Sequence, residues 1–285
     1  MPEHQVVSIE RTGAIATLWL DRPEARNAMG PAFWEQLPAA MAELGDDDDV
    51  RAVVISARGP HFSVGLDLKS MGAALTGGTG AGGDAASNGG APRPSPAKRA
   101  KLARASVLRM QASISSVADC PKPVIAAVHG YCIGGGVDLI SACDIRLGSA
   151  DAIFSVRETR MAIVADLGSL QRLPGIIGRG QLAELVYTGR DIGADRALAI
   201  GLVNDVLPDV DGVQGAARAL AEEIAANPPL VVQGVKAVLG AGEGRSVREG
   251  LDYVATWNAG FLQSEDLTEA VTAFIEKREP TFRGN

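Results

Sequence analysis

The chain has little that could cross-link it, chelate a metal or anchor it. Only three cysteines occur in 285 residues, Cys120, Cys132 and Cys143. They are odd in number and lack CxxC spacing, so neither a disulfide framework nor a zinc site is signalled; they read as small buried hydrophobes. The three histidines, His4, His61 and His129, form no obvious metal set. Positive charge is outnumbered, with 27 Lys and Arg against 34 Asp and Glu for a net charge of -7. A protein that neutralises phosphates along a nucleic acid needs the opposite balance, so a nucleic-acid partner is not expected. No apolar run is long enough to span a bilayer, and no membrane partner is expected. A GxSxG elbow is absent, which sets aside a serine hydrolase. A strand-like segment at Val6–Ile9 starts too early for a basic region and an apolar signal core. Arg283-Gly284-Asn285 is not a Ser-Lys-Leu address, and a cytoplasmic location is expected.

What is present is ample core material, with hydrophobic residues making up 46% of the chain. Strand-like segments at Val6–Ile9, Ala14–Leu20, Ala52–Ser56, Val124–Val128 and Val203–Leu207 alternate with helical patterns, which reads as α/β. Phe33, Leu37, Met41 and Leu44 mark one face of a helix over Pro31–Leu44, in which Pro38 is expected to cause a kink or break. Asp46 to Asp49 read as a solvated turn, because consecutive carboxylates cannot all converge on one cation. From Gly72 to Pro96 the composition shifts to Gly, Ala, Ser, Thr, Asn and Pro, too polar and small to offset ordering entropy, and a loop is expected. Its match to GxGxxG at Gly78–Gly83 has no strand before it and no helix directly after, so it carries no dinucleotide site. Lys98–Val117 reads as a helix with a solvated basic face and Leu102, Leu108 and Ile114 available for packing. After Val203 the pattern is helical, with helices following Pro229, Ser246 and Ser264.

Two glycine-containing loops each follow a strand expected to be central. The first is Gly59-Pro60-His61-Phe62-Ser63-Val64-Gly65-Leu66-Asp67-Leu68; the second is His129-Gly130-Tyr131-Cys132-Ile133-Gly134-Gly135-Gly136-Val137-Asp138. Three successive glycines opening an apolar helix leave backbone N–H groups unshielded at the positive end of a helix dipole, a place suited to a developing oxyanion. The glycines could equally serve only close packing of helix on strand. Together the two loops resemble the oxyanion-hole signatures of the enoyl-CoA hydratase/isomerase (crotonase) superfamily. Asp21-Arg22-Pro23 with Arg26-Asn27-Ala28, and Phe274-Ile275-Glu276-Lys277-Arg278 with Pro280 and Phe282, are similar to that superfamily's early turn and C-terminal end. The resemblance covers nearly all of the chain apart from the 72–96 stretch.

Three acids follow the loops: Asp138, Glu158 and Asp166. Hydratases of the superfamily carry glutamates at the first two positions and typically glycine at the third. The run from Gly134 through Asp138, Ser141–Arg146 and Val164–Pro174 is closely similar to Δ3,5-Δ2,4-dienoyl-CoA isomerases, and the three acids fall where that subfamily has an acidic triad. Each also has a plainer reading. Asp166 could cap a helix starting near Leu167, Glu158 could pair with Arg157 or Arg160, and Asp138 could be a first-turn acid complementing a dipole.

The resemblance implies a definite architecture and chemistry. The fold would be an α/β spiral of ββα units over residues 1–202, interrupted by the 72–96 insertion. A mainly α-helical region over 203–285 would drive assembly into a homotrimer or a dimer of trimers. The substrate would be an acyl-CoA thioester, with no separate cofactor and no metal. The N–H groups of Leu66 and Gly135 would form the oxyanion hole, Asp166 would serve C2 and Glu158 would serve C6, with Asp138 tuning or orienting Glu158. Arg26, Ala28, Lys69 and Lys277 would contact CoA. Competing readings are 2-enoyl-CoA hydration, Δ3-Δ2-enoyl-CoA isomerisation, or a non-catalytic acyl-CoA- or RNA-binding homologue.

Overall fold

The computed structural model describes residues 5–75 and 94–285. His4, the Gly78–Gly83 match and all but the ends of the expected 72–96 loop lie outside the described residues. Among the described residues nine strands and eleven α-helices follow in order. They begin with β1 (Val7–Thr12), β2 (Ile15–Leu20), α1 (Pro31–Asp46), β3 (Ala52–Ala57), α2 (Leu68–Leu75), α3 (Pro96–Asp119), β4 (Val124–Val128), β5 (Tyr131–Ile133) and α4 (Gly135–Ser141). Next come β6 (Ile145–Ser149), β7 (Ile153–Ser155), α5 (Ser169–Ile177), α6 (Arg179–Thr188), β8 (Ile192–Gly193), α7 (Ala194–Ala199) and β9 (Asp205–Leu207). The last four are α8 (Val210–Ala225), α9 (Pro229–Gly242), α10 (Val247–Phe261) and α11 (Glu265–Glu276).

A six-stranded sheet has the order β1-β2-β3-β4-β6-β9, antiparallel only at its β1–β2 edge. A second sheet, β5-β7-β8, stands beside it. Every residue of β3 and β4 is buried, as parallel strands covered on both faces must be. Their period-2 alternation divides them between two cores. Val53, Ile55, Ala126 and Val128 join the core that includes Phe33, Leu37 and Ile114 from α1 and α3. Ala52, Val54, Ile125 and Ala127 join a smaller core under α8, with Val213, Ala217, Ala221 and Ala225.

Several expectations change in detail. Helix α1 runs unbroken through Pro38 and ends at Asp46, so the expected break is absent; Asp47 to Asp49 form the turn beyond it. The expected loop starts too early, because α2 continues to Leu75, and Pro96 already opens α3 behind a Ser95 cap. Only the C-terminal half of α3 packs: Met110, Ser113, Ile114 and Val117 are buried, whereas Leu102 and Leu108 are 56% and 43% exposed. The three cysteines are free and buried. The C-terminal helices close with a buried clamp in which the Asp266 carboxylate accepts the N–H groups of Arg283 and Gly284 at 2.7 and 2.9 Å. Arg51 holds the tail to the sheet by donating to Phe282 O at 2.7 Å. Among the described residues no helix is long and apolar enough to cross a membrane.

Candidate active site

The two loops leave the C-terminal ends of β3 and β4, which are neighbours in the sheet. They are sewn together by backbone bonds: Phe62 N donates to His129 O, Ser63 N to Tyr131 O, and Ile133 N to Ser63 O. Side chains add to the seam. Asn27 donates to Arg58 O and His61 O, and His129 Nε2 lies 2.8 Å from Gly59 O. His61 accepts the Tyr131 N–H and packs at a tilt against the Tyr131 ring, so its interactions are structural.

This seam brings Leu66 and Gly135 side by side. A short parallel bridge pairs Met29 with Leu66, and its bonds use the flanking groups: Met29 N donates to Gly65 O and Asp67 N to Met29 O. Ser155 O takes the Gly134 N–H, while Val137 N and Asp138 N share Gly134 O. The N–H groups of Leu66 and Gly135 donate to no carbonyl among the described residues. Gly135 opens α4, where a helix leaves its first N–H groups without internal partners. Gly65 lies at φ 81°, and a Cβ there would meet Ile133 O at 2.8 Å and Gly135 N at 3.2 Å. Only a residue without a side chain permits that approach. Met29 Sδ fills the other side, 2.9 Å from where a Gly135 Cβ would stand.

All three expected acids converge on this place. Asp138, on the first turn of α4, is 1% exposed. Burial raises its pKa to about 6, and the Asp166 charge pushes the same way. Glu158 reaches across from the turn after β7, with Oε1 3.1 Å from the Cβ position of Gly134. Its Oε2 is buried without a hydrogen-bond partner among the described residues. Burial raises Glu158 to about 7, with the Asp138 and Asp166 charges adding to it. Burial also raises Asp166. A buried, unpartnered carboxyl beside two others is costly for stability, and such clusters concentrate at sites of chemistry.

The plainer readings of the acids fail on geometry. Arg157 pairs with Asp191 at 2.5 Å and Arg160 donates to Thr188 O, so neither neutralises Glu158. The N-cap of α5 is Gly168, not Asp166. The bond to that helix's first N–H comes instead from Asp138, whose Oδ1 accepts from Ser169 N at 2.7 Å. Gln111, Arg172 and Met29 were missed by the sequence reading; their roles depend on contacts with distant residues, and no local spacing marks them.

The expected CoA contacts divide into two groups. Arg26 and Ala28 belong to the turn against the first loop, where Val64 N donates to Arg26 O at 3.2 Å. Lys69 lies exposed on the first turn of α2, beyond an Arg22–Asp67 ion pair of 2.7 Å. Lys277 is exposed at the left-handed C-cap of α11, and no bond joins it to the loops among the described residues.

The enoyl-CoA hydratase/isomerase family model matches residues 10–81 and 79–285. The chain belongs to that family. It is 43% identical over 281 residues to the mitochondrial Δ(3,5)-Δ(2,4)-dienoyl-CoA isomerase of Rattus norvegicus, covering 97% of this chain and 82% of that one. It is 41% identical over 278 residues to the peroxisomal enzyme of the same name from Arabidopsis thaliana, covering 98% and 96%. The crystal structure of an enoyl-CoA hydratase from Bacillus anthracis superposes with a TM-score of 0.85 at 30% identity, over 99% of this chain and all of that one. The crotonase-like fold expected from the loops is thereby established. The relatives also correct one expectation: their names place them in mitochondria and peroxisomes, and the cytoplasmic location read from the chain's two ends does not stand.

Proposed function

We propose that this family member is a Δ3,5-Δ2,4-dienoyl-CoA isomerase of fatty acid β-oxidation. The observation that carries the reading is the convergence of three carboxyl groups, each raised by burial, beside the Leu66 and Gly135 donors. Hydration of a single double bond does not call for a third acid. Moving two double bonds along a chain calls for a base at one end and an acid at the other.

In this mechanism the thioester oxygen accepts from the N–H groups of Leu66 and Gly135. Asp166, ionised, takes a proton from C2, and the electron pair delocalises through the two double bonds to C6 as a trienolate. Glu158, whose burial raises its pKa to about 7, delivers a proton to C6 from its protonated form. The double bonds now lie at C2 and C4, and one proton has been removed and one supplied. Each oxyanion donor contributes about 3 kcal/mol to such a transition state. Carboxylates and backbone dipoles suffice, so the reading requires no cofactor beyond the CoA of the substrate. Arg26, Ala28 and Lys69 line its approach.

Assembly as a homotrimer or a dimer of trimers accompanies this reading, with Lys277 reaching CoA on a neighbouring subunit. Its support is the apolar surface of the helices after residue 203, where Val247, Phe274 and Ile275 are 81%, 85% and 72% exposed. Exposed apolar side chains of this kind are what a subunit interface would cover. The division into a 1–202 core and a 203–285 helical region follows the same reading, with β9 and α8 completing the sheet layer.

The deciding experiment follows the ultraviolet absorbance of a conjugated 2,4-dienoyl product formed from a 3,5-dienoyl-CoA, with 2-enoyl-CoA hydration and the Asp166→Asn protein alongside. Isomerisation lost in Asp166→Asn supports the assignment. Hydration that is indifferent to Asp166, with no isomerisation, overturns it.

A further inference from the structure

Residues 166–169 are held by side chains that reach them from three helices. The Asp166 carbonyl accepts from Gln111 Nε2 of α3 at 2.6 Å. The Leu167 carbonyl accepts from Arg172 Nη1 of α5 at 3.4 Å. Gly168 lies at φ 128° under the same guanidinium, and a Cβ there would stand 1.9 Å from Arg172 Nη1. The Ser169 N–H donates to Asp138 Oδ1 of α4 at 2.7 Å. Arg172 is in turn anchored to α3, donating from Nη2 to Ser115 Oγ at 2.9 Å.

Three of these four consecutive backbone positions therefore carry a side-chain hydrogen bond, and two of the three trace back to α3. Residues 111 and 115 are one helical turn apart and share a face. None of the bonds ends on the Asp166 carboxylate. The restraints fall on the backbone that carries the Asp166 side chain, whose carboxylate is met by its own backbone N–H, and a supported backbone is how a reacting group is held to within about 0.5 Å of its productive position.

We propose that Gln111 is a positioning residue for the isomerisation, holding the Asp166 carboxylate over C2 through the Asp166 carbonyl, with Arg172 as the second arm of the clamp. The proposal rests on Asp166 being the C2 base. Misplacement of a reacting group by about 1 Å costs on the order of 10²-fold in rate. CoA binding depends on the Arg26 turn and the first loop, which Gln111 does not touch. The loss therefore falls on kcat rather than on KM.

The experiment is a double-mutant cycle with Gln111→Leu, which keeps the side chain's bulk without its donor, made in the parent and in Asp166→Asn. Isomerisation of a 3,5-dienoyl-CoA is read as kcat and KM, and melting temperature is read in parallel. In the parent, kcat is expected to fall about 10- to 100-fold with KM changed less than about twofold. In Asp166→Asn, whose carboxylate is already gone, the same change is expected to cost the residual rate nothing further. Equal fractional losses in the two backgrounds, or an unchanged kcat in the parent, overturn the clamp. If Gln111→Leu does not fold, Arg172→Lys, which keeps the charge but loses the planar fork, runs through the same cycle with the same criteria. Full activity in Asp166→Asn overturns the base assignment and the clamp with it. A dead Asp166→Asn beside a fully active Gln111→Leu overturns the clamp alone.

Discussion

The Asp138 carboxylate of α4 accepts the backbone N–H of Ser169, the first residue of α5, at 2.7 Å. One helix thus supplies another with the acceptor that an N-cap side chain normally provides, and Gly168 at the cap has none to offer. Asp138 is 1% exposed, and burial raises its pKa to about 6. The bond needs an acceptor oxygen, whereas the charge carries a desolvation penalty. Asp138→Asn is therefore expected to melt at or above the parent at pH 8, and Asp138→Leu below it, because an unpaired buried N–H costs about 1–3 kcal/mol. Thermal melts of the three proteins at pH 8 check this. A Leu variant as stable as the Asn variant would show that the bond contributes nothing.

Glu158 makes stability fall with rising pH. Its folded-state pKa of about 7 lies above the ordinary 4.5, so the folded chain holds the proton more tightly than the unfolded one. Stability therefore declines between about pH 4.5 and pH 7 and is level above that range. Glu158→Gln removes the Glu158 share of the dependence, while Asp138 and Asp166, also raised by burial, keep theirs. Its gain over the parent is expected to be about 1–2 kcal/mol larger at pH 8 than at pH 5, after discount for partial exposure. Urea midpoints at the two pH values measure it, and an equal gain at both would refute the cause.

The same group sets the alkaline limb of catalysis. Glu158 must carry its proton to serve C6, so kcat/KM for isomerisation is expected to fall above about pH 7. The Asp138 charge helps to hold that pKa up. Its removal in Asp138→Asn lowers the Glu158 pKa, and the alkaline limb moves to lower pH. The three acids titrate as a set, so the limb reports the cluster. Full pH profiles of the two proteins decide the matter; a limb that stays in place would remove Asp138 from the electrostatics of Glu158.

The parts of this site that were legible in sequence are those written in contiguous residues. The glycines of the two loops, the strands before them and the three acids lie within short stretches whose types and spacing carry the signal. The clamp does not, since Gln111 and Asp166 are 55 positions apart and Asp138 and Ser169 are 31 apart. Asp166 read locally as a candidate helix cap because the acceptor that performs that task comes from another helix. Strands β5 and β7, three residues each, are too short to show a period. Of the apolar residues expected to pack from α3, Ile114 is buried whereas Leu102 and Leu108 are exposed, because residue type alone does not show where along its length the helix leaves the core. Pro38 did not break α1, because tertiary packing of Phe33, Leu37, Met41 and Leu44 outweighs the missing backbone bond.

Gly65 offers a direct test of the oxyanion hole, with a control in the same chain. Gly65 and Gly13 both have positive φ, 81° and 58°, so an alanine at either place carries a comparable backbone penalty of about 1–2 kcal/mol. They differ in surroundings: a Cβ on Gly65 meets Ile133 O at 2.8 Å and Gly135 N at 3.2 Å, whereas a Cβ on Gly13 meets nothing within 4 Å. Gly65→Ala must therefore push the Leu66 and Gly135 segments apart. Loss of one donor's geometry is expected to reduce kcat about 10²- to 10³-fold. Gly13→Ala is expected to lose stability alone. Steady-state isomerisation and melting temperature of both variants separate strain from chemistry. If Gly65→Ala turns over as fast as Gly13→Ala, the two N–H groups are not where the enolate oxygen is held.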